Sequence, residues 1–375
     1  MRNPHLWETH WFQIRDETLL RLERNLLQKL ILEAIEKAGN LNKLTKILSL
    51  SYPSFLYVLR SECELVSVKK LKKLADFLKI NYNHFNNKIL EIKKGKIASI
   101  ENPRFPFNLK TKEGAKLLGY ITSDGTIYSD KKSRNAKRTK YSSSDDESTK
   151  EFVNCIRKIF GEVHIQKELN RGNLYLRIGT SIIGDALLKV GAQLGNKTKS
   201  NTRLPWLIKR NKCLQKPYLQ AIFDDEGSSA GSKFYKPYVI ITRYNKIRAN
   251  KEILEKLDKN IEPLMKEHTF PTGHINKSIR FKQVREILPN LEKRLIKLGI
   301  SNLLLDESNI LSNFGVETNI WISRLTKTQS RNYNLVTDLF IRKKESILKF
   351  YKEVNFSLTR KQAKLESSLK EAKWI

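Results

Sequence analysis

Two nonapeptides about a hundred residues apart constrain this chain more than any other feature. The first is Leu117-Leu118-Gly119-Tyr120-Ile121-Thr122-Ser123-Asp124-Gly125; the second is Leu219-Gln220-Ala221-Ile222-Phe223-Asp224-Asp225-Glu226-Gly227. Aligned, they share Leu at the first place, a small residue at the third, an apolar one at the fifth, a carboxylate at the eighth and glycine at the ninth. Small residues on a helix let a second backbone approach closely. Ala115 and Gly119 lie on one helical face, and Ala221 stands where Gly119 does in the first copy. Two helices packed through those faces bring their C-terminal ends together. Each ends in a carboxylate and then a glycine, a residue able to take the left-handed conformation that stops a helix. A self-similar unit of this kind has to be recognised before the fold is assigned.

Such an arrangement sets Asp124 and Glu226 side by side. Two like charges repel, and helix C-termini add partial negative charge. A hard divalent cation, Mg²⁺ or Mn²⁺, relieves both and also binds phosphate oxygens. A metal at a carboxylate pair can polarise a phosphodiester, activate water and stabilise the leaving oxygen. The competing reading, two unrelated polar helix ends, fits one copy better than two copies in matching frame, each followed by strand signals.

The charge balance names the substrate class. Lys and Arg number 71 against 39 Asp and Glu, a net charge of +32, and such an excess favours a polyanion through counterion release. Nucleic acid comes ahead of an anionic membrane surface, since the charge excess occurs alongside the paired acidic motifs, and no run of about eighteen apolar residues exists to span a bilayer. The N-terminus carries no apolar signal core. Cys63, Cys155 and Cys213 offer neither a disulfide framework nor a CxxC zinc site. The expectation is a soluble, cytoplasmic, nucleoid-associated protein with no membrane partner.

Along the chain, helical periodicity over 19–37 closes at Gly39-Asn40. A short amphipathic helix follows at 41–48, then a helix opened by Ser51-Tyr52-Pro53-Ser54 and running to Arg60, then another at 68–78. This all-α stretch, 1–86, resembles a Cro/repressor-type helix-turn-helix, a family in which the second helix enters the major groove. The resemblance makes Tyr52, Ser54, Tyr57 and Arg60 candidate DNA contacts; a helical bundle for protein contacts is the alternative. Residues 87–110, with Asn102-Pro103-Arg104-Phe105-Pro106-Phe107, read as a linker partly docked through its aromatics. Residues 111–207 then read as an α-β-β-α-β-β-α unit. Its strands are expected at 126–129, 163–169 and 174–180, with helices at 147–160 and 182–194. Residues 208–355 repeat the opening less regularly. There we expect a helix at 249–264, an inserted loop at 268–279, a helix at 286–298, strands at 303–306 and 318–325, and a helix at 332–354. Residues 356–375 read as a charged helical tail, with 361–373 a solvated face.

These paired motifs resemble those of the LAGLIDADG (DOD-type) homing endonucleases in their two-repeat, monomeric form. The match covers roughly residues 108–352. The resemblance implies an α+β fold, a pseudo-twofold pair of repeats whose curved antiparallel sheets sit over double-stranded DNA. It implies Mg²⁺ (or Mn²⁺) at Asp124 and Glu226, beside Gly125 and Gly227, and site-specific, metal-dependent cleavage of both strands. Base edges would be read by alternate strand residues. Asn196-Lys197-Thr198-Lys199-Ser200 with Pro205 resembles the junction between repeats in archaeal members. The family places a basic residue near the metal at the end of each repeat's second strand. Asp145 takes that place in the first repeat, with Lys140 nearby; Arg243 takes it in the second in one register and Lys282 in another. DNA contact is further expected from Lys131, Lys132, Arg134, Lys137, Arg138 and Lys140 in the first hairpin, from Arg171 in the next turn, and from Arg177, Arg243 and Arg280. His268 and His274 could form a two-His site, although an exposed loop accounts for them better. The rival function is a transcription regulator that keeps the fold and binds DNA without cutting.

Overall fold

Each motif becomes a helix that feeds an antiparallel sheet. Thr111 caps the first, Lys112–Thr122, by accepting from the Gly114 amide; the second spans Lys212–Asp225. In this computed structural model the described residues are 5–23, 25–60, 64–93, 98–131, 135–143, 145–170, 173–232, 235–269, 275–328 and 332–375. The two motif helices cross at Gly119, where a Cβ would lie 2.6 Å from the Ala221 Cβ and 2.8 Å from the Tyr218 carbonyl oxygen. No larger residue fits that crossing without pushing the helices apart. Gly125 and Gly227 serve differently from the expectation. Neither has positive φ. A Cβ would instead fall 2.7 Å from Ile121 Cα at Gly125 and 2.6 Å from the Phe223 carbonyl oxygen at Gly227. Both glycines let the outgoing strand turn tightly against its own helix.

After Gly125 come strands Thr126–Asp130, Ala136–Ser143, Ile165–Asn170 and Asn173–Ile178, ordered third, fourth, second, first across the sheet. After the second motif, strands Gly227–Ser232, Tyr235–Lys246, Asn319–Lys327 and Tyr333–Ile341 pair in the same relative order. In the first sheet one helix, Asp146–Phe160, separates the second and third strands. In the second sheet that connection carries an extra unit before its helix, Asn302–Ser312. The unit contains helix Lys251–Asn260, hairpin strands Lys266–Thr269 and Ile275–Arg280, and helices Phe281–Ile287 and Glu292–Gly299. Its hairpin continues the sheet past Asn319–Lys327, giving six strands in place of four. The unit has its own apolar core, with Ile253, Leu257, Ile279, Val284 and Leu295 buried together.

Several expectations are corrected here. Residues 303–306 are helical, because Leu303, Leu304, Ile310 and Leu311 bury one helix face. Residues 333–341 are a strand, with helix Lys344–Lys349 after it. The stretch expected as a loop at 268–279 supplies hairpin strands, and 286–298 divides between two helices.

The first 86 residues are not all-α. Helices Leu26–Ala38, Leu41–Leu48, Tyr52–Leu59 and Val68–Leu78 pack beside strands Leu19–Leu22 and Leu65–Ser67. Asn40 and Ser67 cap their helices by accepting from the amides of Lys43 and Lys70, whereas Ser51 makes no cap bond. Residues 87–110 are more than a tether. Strands Ile89–Lys93 and Ser99–Glu101 extend the N-terminal sheet to Glu162–Val163 of the first repeat region. Phe107 packs 4.9 Å from Phe160, ring to ring. The aromatic docking read from the sequence is present, on a separate short strand, Phe107–Asn108, that pairs with Glu8–Thr9. No helix among the described residues is long and apolar enough to cross a membrane.

Candidate active site and nucleic-acid interface

The helix crossing at Gly119 and Ala221 brings the two C-terminal ends to one place. There Ser123, at the seventh position of the first motif, donates to the carboxylate of Asp225, the seventh of the second. Tyr141, on the second strand of the first sheet, donates to the other Asp225 oxygen at 2.7 Å. Burial, then the neighbouring Asp124 charge, pushes the Asp225 pKa up to about 8. Burial also raises Asp124, against the pull of Lys197, Arg243 and Lys361. It raises Glu226 as well, opposed by Arg243 and Lys197 and reinforced by Asp124. The mutual influence of Asp124, Asp225 and Glu226 places three carboxylates in one neighbourhood.

Three cations answer them. Lys197 donates to the carbonyls of Ile121 (3.3 Å), Thr122 (2.9 Å) and Ser123, closing the end of the first motif helix. Lys361 does the same for the second, reaching the carbonyls of Phe223 (3.1 Å), Asp224 (2.5 Å) and Gly227 (2.6 Å). Each ammonium thus offsets the negative end of one helix dipole. Burial draws Lys197 down to about 8 and lowers Lys361 too. The stretch 361–373, expected to be solvated, therefore begins with a residue built into the centre. The third cation, Arg243, pairs with Glu226 through Nη1 and with Glu307 through Nη2 at 2.8 Å. Glu307 is wholly buried and its pKa rises to about 7, driven by burial and restrained by Arg243. Asp224, the sixth residue of its motif, accepts from the backbone amides of Ser357 and Leu358 at 2.8 and 3.1 Å, so it anchors the C-terminal segment.

Strand register assigns the flanking positions. Gly227 pairs with Ile241, and Thr126 with Lys140. Tyr141 therefore corresponds to Ile241, and Ser143 to Arg243. The counterpart of Arg243 is Ser143, not Asp145 or Lys140. Asp145 lies past the strand, caps helix Asp146–Phe160 and pairs with Arg360 at 2.6 Å. Lys282 is not at the centre either: it is exposed on helix Phe281–Ile287, 4.0 Å from Glu286. The two halves are thus unequal, with a guanidinium beside Glu226 and a hydroxyl, Ser143, at the matching register position of the first sheet.

Among the described residues no group of three or more His, Cys, Asp or Glu side chains is arranged to hold a metal ion. What the helix ends offer is narrower and suits a hard cation that keeps water and shares phosphate oxygens. Asp124 is crowded by the helix ends yet keeps an open side to solvent, and among the described residues it has no ion-pair partner. Glu226 opens onto a cavity of about 180 Å³ that it lines with Ser123, Lys197 and Arg243. Oxygen donors from Asp124 and Glu226 fit a hard divalent cation, with Arg243 competing for Glu226. The Gly227 carbonyl is committed to Lys361.

Side-chain alternation sorts the basic residues. In the first sheet Ile127 and Thr139 pair on the buried face. Lys137, two residues on, belongs to that side and donates to Ser129 at 2.6 Å. Arg138, Lys140 and Arg177 belong to the open side. Lys140 lies 3.7 Å over the Tyr175 ring, and Arg177 and Arg138 pair with Glu168 and Asp130. Lys131 is exposed at the strand end. In the second sheet Arg243 points inward to Glu307, so it is not a base-reading residue. The open side carries Tyr244 and Trp321, 46% and 59% exposed, with Arg324 and Arg280 paired across adjacent strands. Tyr244, on strand Tyr235–Lys246, and Trp321 and Arg324, on strand Asn319–Lys327, carry no sequence signal because neither strand's register is legible without the fold. In the N-terminal unit Tyr52, Tyr57 and Arg60 are exposed and Ser54 partly so, above the buried Phe55 and Val58. Lys132, Arg134, Arg171 and His274 lie outside the described residues. His268 is exposed on the inserted hairpin.

No protein-family model matches the chain, and no curated protein does. Among solved structures, the homing endonuclease I-DmoI in complex with DNA and calcium is 16% identical over 69% of this chain and 98% of that one, with a TM-score of 0.35. Full-length DUF199/WhiA from Thermatoga maritima is 12% identical over 71% of this chain and 62% of that one, with a TM-score of 0.36. The N-terminal LAGLIDADG domain of DUF199/WhiA is also 12% identical, over 70% and 90%, at 0.34. Likeness at this level assigns no activity.

Proposed function

We propose that the chain is a metal-dependent, site-specific double-stranded DNA endonuclease of the LAGLIDADG type, acting as a monomer with two pseudo-twofold-related repeats. The observation that carries this reading is the meeting of Asp124 and Glu226 at the ends of two crossed helices, each of which opens a sheet with a cationic outer face. Asp124 and Glu226 would hold Mg²⁺ or Mn²⁺, with Gly125 and Gly227 admitting the tight turns beside them. The bound ion would polarise the scissile phosphate and activate water. Lys197 and Lys361 keep the helix ends neutral enough for the acids to approach a polyanion, and Arg243 positions Glu226. Arg138, Lys140, Arg177, Arg280, Tyr244 and Trp321 would meet the duplex, the cations chiefly through phosphates. Helix Tyr52–Leu59 would serve as the recognition helix of a helix-turn-helix, placing Tyr52, Ser54, Tyr57 and Arg60 on DNA beyond the central site.

One observation favours a second reading, a transcription regulator that binds DNA without cutting. The buried Glu226–Arg243–Glu307 chain already satisfies one of the two acids with a protein cation. Selection of bound duplexes from a randomised library in Ca²⁺, followed by transfer to Mg²⁺ or Mn²⁺, separates the two. Cutting within the selected sequence supports the nuclease; tight, specific binding with every strand intact in both metals replaces it with the regulator.

A further inference from the structure

The extra hairpin of the second sheet ends in a cation cluster that nothing in the central site uses. Lys266 and Ser278 are cross-strand partners, as are Arg280 and Arg324. Alternation puts all four on one face with His268. They surround a cavity of about 680 Å³, walled on another side by Lys282. Lys266, Arg280 and Arg324 are exposed, and among the described residues none of them has an ion-pair partner. Lys282 forms an ion pair with Glu286 at 4.0 Å, and Glu286 lines the same cavity. Four cations outnumber that one carboxylate, and their repulsion falls when a further anion joins them. The other cations of the inserted unit behave differently: Lys277 and Lys327, on the same strands but turned inward, are paired with Glu262, Glu267 or Asp258.

Resting on the DNA-binding reading above, we infer that this cluster is a phosphate clamp. It lengthens the DNA contact on the second repeat's side, so that the two half-sites are unequal. The face continues the open side that bears Tyr244 and Trp321, so a duplex laid across the strands passes directly onto it. Two added strands at a spacing of about 4.8 Å extend the surface by about 10 Å. At about 3.4 Å per base pair, that is about three further base pairs at one end only. Among the described residues the first sheet has four strands and no equivalent extension.

The test is hydroxyl-radical footprinting on a duplex selected from a randomised library, using the full chain. The expected footprint is longer on one side of its centre by about three base pairs. Arg280→Ala with Arg324→Ala should remove protection at that end alone. The same double variant should make the log-affinity against log-salt slope shallower by about two, one for each phosphate no longer neutralised. Lys140→Ala with Arg177→Ala should shorten the opposite end. All four residues lie on the open sheet face, and unchanged thermal melting verifies the fold. A footprint of equal arms, with an unchanged salt slope in the Arg280/Arg324 variant, overturns the clamp and leaves the DNA-binding reading standing. Preferential protection of the cluster by a single-stranded RNA pool over the duplex also overturns it. Failure to select any duplex refutes the underlying reading instead.

Discussion

Replacing Arg243 with Met tests the inner architecture of the site without any knowledge of its target. Arg243 is 8% exposed and bridges Glu226 to Glu307, which is fully buried. Methionine keeps much of the volume and removes the charge, leaving two acids without their shared cation. Breaking one side of a buried ion pair costs about 3–5 kcal/mol, because the remaining charge stays desolvated. The cost must depend on pH. Burial already holds Glu307 up at about 7 with Arg243 in place, above the unfolded value of about 4.3. A carboxyl with a raised folded pKa binds more protons folded than unfolded, so stability falls as pH rises between those values. Removing Arg243 raises the folded pKa further and carries that loss into the alkaline range. Urea unfolding should therefore show the variant losing about 3–5 kcal/mol at about pH 8 and markedly less at about pH 5, where both acids can take up protons. Adding Glu307→Gln should recover part of the loss at the higher pH. An equal loss at both pH values, or no recovery in the double variant, would refute the reasoning.

Gly119→Val puts a branched side chain where even a Cβ lies 2.6 Å from Ala221; denaturant unfolding should show a loss of about 1–3 kcal/mol or more, and wild-type stability would mean the helices do not cross there. Asp225, held up at about 8 by burial and Asp124, drains stability as pH rises from the unfolded carboxylate value through that range. Asp225→Asn should gain on wild type between about pH 5 and about pH 8.5 by at least about 1.4 kcal/mol, the worth of one pKa unit; parallel pH profiles would count against it. Tyr57→Ala with Arg60→Ala should weaken binding to a selected duplex and flatten its salt slope by about one, and an unchanged affinity would remove the N-terminal helix from DNA contact.

The sequence was most legible where local pattern and tertiary role coincide. Small-residue spacing and terminal carboxylates locate both motif helices, and three strands of the first sheet follow; its strand Ala136–Ser143 does not, because polar residues fill the stretch 130–139 and it reads as a turn. Strand Tyr333–Ile341 reads as helix from sequence because it sits inside a six-stranded sheet with eight of its nine residues buried. Burial on both faces erases the alternation that marks a strand. The Leu303-Leu304-Leu305 run was ambiguous for the related reason that a short apolar stretch has no period. The inserted unit then displaced the register of everything after Lys246, which is why Arg324 and Trp321 escaped notice and Lys282 was drawn towards the centre. Lys197 and Lys361 had no local signature. Each is one lysine in a lysine-rich chain, and only the meeting of distant segments with a helix end gives it a role. Ser143 could have been found from sequence by counting from the motif glycine with the hairpin length known; Glu307, far along the chain and beyond the insertion, could not.

The central claim is that Asp124 and Glu226 form one metal-assisted cleavage centre at the junction of two helices. Its most direct measurement compares wild type with Asp124→Asn and Glu226→Gln on one selected duplex, following binding in Ca²⁺ and strand scission in Mg²⁺. A single shared centre predicts near-equal binding by all three proteins and cutting by the wild type only. Cutting that survives either substitution, or a wild type that binds tightly and leaves both strands whole in Mg²⁺ and Mn²⁺, would contradict it.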